Sequence, residues 1–149
     1  MSVHPWTAGS GPVRFIAFSA MECIAYLAIH THRFNDLHQL KFTATGITQQ
    51  VPASATGPKT CLLMGSDALG RLNAIRSALG LRKKKIAIRY LPEEQYLLNC
   101  LDRKIILGER LLSLSAAEKG LGIRTGIRTA APRHYHSFLE QLKHRSSWY

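Results

Sequence analysis

The sequence predicts a mixed α+β chain with a ferredoxin-like split βαβ core over residues 13–91. A flexible leader (1–12) precedes the core, and a helical extension (92–149) packs on it. Three observations lead there. Lys59 to Leu91 reads as strand, helix, strand. Leu40 to Thr48 (LKFTATGIT) is rich in Thr and other strand formers. Val13 to Phe18 is an apolar run ahead of a cappable helix. The order strand, helix, strand, strand, helix, strand is that of the split βαβ unit. If Val13 to Phe18 were instead the first turns of one long helix, the chain would be mostly α-helical. Short apolar runs do not decide between the two.

Taken in order, Met1 to Pro12 is Gly-, Pro- and Ser-containing and reads as extended leader. Ser19 can cap a helix from Ala20 to about His38. Gln49 to Pro58 is loop by composition. Thr60 to Met64 is a buried-strand run, broken at Gly65-Ser66-Asp67, where Ser66 or Asp67 can cap the next helix. Leu69, Leu72, Ile75 and Leu79 share one helical face. Gly80 is the expected stop, because glycine enters the left-handed C′ conformation without a side-chain clash. Ile86, Ile88 and Tyr90 alternate with Lys85, Ala87 and Arg89, as in a half-buried strand. Pro92 can open a helix over Glu93 to Leu114, with Leu97, Leu101, Ile105 and Leu112 on one side. Ser115 to Glu118 has the form of a capping box. Gly120 to Pro132 reads as a loop holding a tandem GIRT repeat, and Arg133 to Arg145 as a last amphipathic helix. The expected core is Leu62, Leu69, Leu72, Ile75, Leu79, Ile86, Ile88, Leu97, Leu101, Ile105 and Leu112.

The chain is 46% hydrophobic, enough to build a core rather than stay disordered. Its net charge is +11, and residues 71–149 carry sixteen Lys/Arg against six Asp/Glu, so nearly all of the excess lies there. Such asymmetry points to a polyanionic partner, first of all nucleic acid. The rivals are an anionic membrane and an acidic protein surface. Phe15 to Ile29 is apolar but short for a membrane span and contains Glu22, so no membrane association is expected. The N-terminus lacks the layout of a secretory signal. The expected compartment is cytoplasmic, with organellar import left open because no acid precedes Glu22. Three scattered cysteines, with no C-x-x-C pair, suggest reduced buried thiols and neither disulfide nor zinc.

The run Arg82-Lys83-Lys84-Lys85, with Arg89, is the leading candidate for nucleic-acid contact. Adjacent cations repel one another, and a polyanion relieves this while releasing its counterions. A solvated strand entry is the ordinary alternative. The GLGIRTGIRT segment is second. Glycine amides can approach phosphates closely, and Arg124, Arg128 and Arg133 supply forked donors. A flexible connector explains it equally well.

The histidines fall into two groups, His30, His32 and His38, then His134, His136 and His144. A metal-binding HUH motif needs a hydrophobic residue between its histidines; Tyr135 fits and Thr31 does not. Both pairs fall on expected helices, where positions i and i+2 diverge. No metal, cofactor or catalytic residue is assigned. The expectation is a non-enzymatic nucleic-acid-binding protein, RNA ahead of DNA. It would serve as a subunit of a ribonucleoprotein or mobile-element complex, among other protein subunits. The alternatives are a small metal-independent RNA endonuclease using His30 or His32, and an inhibitor or adaptor that binds an acidic protein surface.

Overall fold

Phe15-Ile16-Ala17 and Leu62-Leu63-Met64 are buried at every position. A strand covered on one face only would alternate; strands buried on both faces are those of a parallel sheet between two layers. The computed structural model, which describes residues 6–46, 59–132 and 134–146, has that sheet. Its strands are β1 (Trp6–Gly9), β2 (Val13–Ala17), β3 (Leu40–Ala44), β4 (Lys59–Leu63) and β8 (Arg128–Thr129), in the order β1-β3-β2-β4-β8. β2 pairs in parallel with both β3 and β4, and β4 pairs in parallel with β8. Only the edge strand β1 is antiparallel.

A second sheet is an antiparallel meander of β5 (Ala87–Leu91), β6 (Gln95–Cys100) and β7 (Arg103–Gly108). The helices are α1 (Ala20–His30), α2 (Ala68–Leu81), α3 (Leu114–Leu121) and α4 (Phe138–Ser146). Residues of α1 and α4 cluster with Phe15, Phe42 and Leu63 on one face of the parallel sheet. On the other face Ile16, Leu62 and Met64 cluster with α2, α3 and the inner side of the meander. The architecture is therefore a mixed α/β fold with two sheets, layered on both sides of the parallel one.

The split βαβ expectation is corrected by the pairing. That unit inserts an antiparallel strand between its two parallel ones, whereas β2 bonds directly to β3, and β5 belongs to the other sheet. The mostly helical alternative falls with Val13–Ala17, which is a strand. Ser19 does cap α1, accepting from Glu22 N at 3.1 Å. The helix ends at His30, and two 3-10 turns, Thr31–Arg33 and Leu37–Gln39, replace the rest. Asp67, not Ser66, caps α2, accepting from Gly70 N at 2.8 Å.

The largest correction is Glu93 to Leu114. It forms β6, β7 and a 3-10 turn at Glu109–Leu111, not a helix. The hairpin β6–β7 turns at Leu101 and Asp102, with φ of 50° and 66°, the sign required at both central residues of a type I′ turn. The sheet continues across Leu91, so residues 92–149 are not a purely helical extension. α3 is capped by Ser113 rather than Ser115. β8 lies inside the expected GIRT loop, α4 starts at Phe138 rather than Arg133, and part of the leader is β1. The Gln49 to Pro58 loop lies outside the described residues. Of the expected core, Leu62, Ile75, Leu79 and Leu112 are buried, while Leu69 and Leu101 are 66% and 61% exposed.

Candidate nucleic-acid interface

α2 ends in a Schellman motif. Lys84 N donates to Leu79 O at 2.9 Å and Lys83 N to Gly80 O at 3.0 Å. This bond pattern needs a left-handed residue after the cap. The cap is Arg82, and the left-handed residue is Lys83, with φ of 59°. Gly80 stays within the helix, so the expected stop lies three residues too early. The motif turns the chain sharply and sets Arg82, Lys83 and Lys85 out in solvent, with Lys84 half-buried.

The GIRT repeat is ordered by its threonine. Thr125 is buried, and its hydroxyl donates to Glu118 Oε1 at 3.1 Å while its amide donates to Glu118 Oε2 at 3.4 Å. Ile127 N donates to Thr125 Oγ1 at 3.2 Å. Gly122 and Gly126, which open the two copies, have φ of 69° and 71°, conformations that cost a side-chain-bearing residue strain. In both copies the isoleucine turns inward and the arginine is exposed. Arg128 begins β8 opposite Cys61. Arg133 lies outside the described residues.

One hydrogen bond brings the two sequence candidates together: Arg82 Nε donates to Thr125 O at 2.6 Å. A side chain added at Gly122 would meet the Arg103 guanidinium, so Arg103 reaches the same loop from β7. The register sets Lys104 opposite Asn99 and Asn99 opposite Ala87, so Lys104 lies two strands from the start of β5, about 10 Å at the usual strand spacing. Arg82, Lys83, Lys85, Arg103 and Arg124 therefore lie on the segments that meet at the C-terminus of α2, while Lys104, in the row of Asn99 and Ala87, is on the outer face of the meander. Sequence reasoning missed Arg103 because it laid it on a helix.

Arg89 stands apart, on the outer face of the meander opposite Leu97. Glu118, the acid nearest Thr125 in this network, is engaged by it.

The histidines do not converge. His30 is half-buried, bonded through Nδ1 to Tyr26 O at 3.1 Å and packed 4.5 Å from the Tyr26 ring and 5.7 Å from Phe138. Burial holds its pKa below the ordinary value, with Arg33, His32 and Arg145 adding to the effect and the Tyr26 bond opposing it. His32, in the first 3-10 turn, and His136, in the segment before α4, are both exposed. Among the described residues no three His, Cys, Asp or Glu side chains converge on a metal position. No helix among them is long and apolar enough to cross a membrane. No family model matches this sequence, and no curated protein or solved structure matches it either.

Proposed function

We propose that this protein binds nucleic acid through the surface formed by the α2 C-terminus, the GIRT loop and the β6–β7 turn. The observation that carries the reading is the Arg82–Thr125 bond. It joins two cationic segments more than forty residues apart in the sequence. Arginines beside glycine amides suit phosphate oxygens, and the exposed lysines add point charge. The role envisaged is a cytoplasmic subunit of a ribonucleoprotein or mobile-element complex. The preference for RNA over DNA rested on the split βαβ sheet and is dropped with it. The endonuclease alternative would have to use the exposed His32, since His30 is committed to packing and a backbone bond.

The test is a salt titration of binding. Changing Lys83, Lys84 and Lys85 to Ala should weaken binding to all sequences alike. It should also lower the slope of log K against log salt by roughly 2–3 units, at about 0.7–0.9 for each phosphate that is no longer neutralised. Arg103→Ala with Arg124→Ala should lower it further. Weaker binding with an unchanged slope would refute phosphate contact by the lysine run. Binding to acidic proteins but not to nucleic acid would favour the inhibitor or adaptor reading.

A further inference from the structure

At the other end of the parallel sheet, the carboxyl ends of β4 and β8 open into a cavity of about 630 Å³. In open α/β sheets that end is where ligands bind, in crevices between strand ends. The crevice between β2 and β4 is already engaged by the chain itself: Ser66 N donates to His136 O at 3.1 Å and Ser66 Oγ to Tyr135 O at 2.6 Å. The neighbouring space beside β8 is open, bounded by α2 on one side and by the segment Arg110–Ala116 on the other.

Its lining is unusual in charge. Arg71, Arg110 and Lys119 are the ionisable side chains on it, all cationic, with no Asp or Glu among the described lining residues. Arg71 is half-buried and donates through Nη1 to Leu112 O at 3.3 Å, which leaves the rest of its fork for a ligand. The start of α3 faces the same space. Ser113 Oγ takes the Ala116 amide at 3.0 Å, while the amides of Leu114 and Ser115 have no partner among the described residues. The remaining wall is largely apolar, including Met64, Leu112 and Leu111, the last 71% exposed.

We propose that this cavity binds a free nucleotide. Its phosphates would lie against Arg71, Arg110, Lys119 and the first amides of α3, and its base against Leu107 and Leu111, the less buried apolar side chains of the lining. A bare phosphate would leave most of the volume and the apolar wall unused, whereas the volume is in the range that holds a nucleotide-sized ligand.

ADP, adenosine and inorganic pyrophosphate, titrated calorimetrically into the full chain, test this. ADP should bind more tightly than pyrophosphate, and adenosine should bind more weakly than either. Arg110→Ala with Lys119→Ala should weaken ADP by about tenfold or more, since each charge-assisted bond contributes on that scale. Ser115→Glu should also weaken it while leaving the thermal midpoint level or raised, because an acid in the first turn favours the helix. The Lys83, Lys84, Lys85 to Ala variant should bind ADP as the parent does. No heat with millimolar ADP, equal affinity for pyrophosphate and ADP, or loss of ADP binding in the lysine variant instead would overturn the assignment.

Discussion

The Glu22 carboxylate, in the first turn of α1, accepts the amide hydrogens of Phe138 and Leu139, 116 and 117 residues further along. Glu22 stands three residues after the cap Ser19, where a capping-box acid would turn back to its own helix. It crosses to α4 instead and satisfies two of the amides that open that helix. Tyr26 and Phe138 meet edge to face beside it, with ring centroids 4.9 Å apart. Glu22→Ala should therefore cost about 1–3 kcal/mol, the usual effect of stranding the donors of a charge-assisted bond, here part-buried. Denaturant unfolding measures it, and an unchanged midpoint would show that the contact contributes nothing.

Lys83 holds a left-handed conformation that glycine adopts without strain. Lys83→Gly should stabilise the protein by about 0.5–1 kcal/mol. The same change should weaken nucleic-acid binding if the proposed surface is right. Strain retained at a solvent-exposed cation accords with a binding role. A Lys83→Gly protein that is less stable would contradict the Schellman assignment.

The α2 face can be tested by a matched pair. Ile75 is fully buried and Leu69 is 66% exposed. Ile75→Ala should cost about 2–5 kcal/mol. Leu69→Ala should change stability by no more than about 0.5 kcal/mol, as at an exposed site. Equal losses in the two variants would mean that the helix is rotated from this placement.

His30 predicts a pH dependence. Its pKa in the folded protein lies below the ordinary 6.5, so the unfolded chain binds the proton more readily. The contribution of the neutral ring is complete above pH 6.5 and is lost as pH falls below it toward the folded pKa. The parent should therefore lose stability relative to His30→Phe on going from about pH 7 to about pH 5.5. Parallel profiles for the two proteins would exclude His30 as the source.

Burial pushes the Cys23 thiol up to about 12, with Glu22 adding to it, and the Cys61 thiol to about 11, with Arg128 opposing. Cys100 is buried too. Disulfide-exchange reagents should label none of the three rapidly at about pH 8 in the native protein and all three in denaturant. Fast stoichiometric labelling before unfolding would show that the packing around them is looser than described.

The strands β2, β3 and β4 and the helices α1 and α2 were legible because apolar runs, Ser19 and the Gly65–Asp67 break mark them locally. What those runs also carried was their two-sided burial: Phe15-Ile16-Ala17 has no polar side, which speaks for a parallel sheet rather than a one-faced split βαβ. The β6–β7 hairpin was hidden for two reasons. Leu97, Leu101 and Ile105 imitate a helical stripe, and the turn uses Leu101 and Asp102 where glycine or asparagine would have announced it. β8 is two residues long and exists only through its pairing with Cys61 and Leu62. In the candidate surface, the lysine run was legible as charge. Its junction with the GIRT loop depends on Arg82 reaching a backbone oxygen, which no local pattern encodes.

β8 has a consequence for how the chain is made. β4 is hydrogen-bonded to β2 on one side, and its other side is covered only when Arg128 and Thr129 arrive. During synthesis the ribosome delivers the strands, helices and meander between β4 and β8 first, and all that time the edge at Cys61 and Leu62 is open to another nascent chain. Productive folding is thus a race between the last residues of the sheet and a neighbour on the same polysome, and slower translation downstream of Leu63 lengthens the exposed interval.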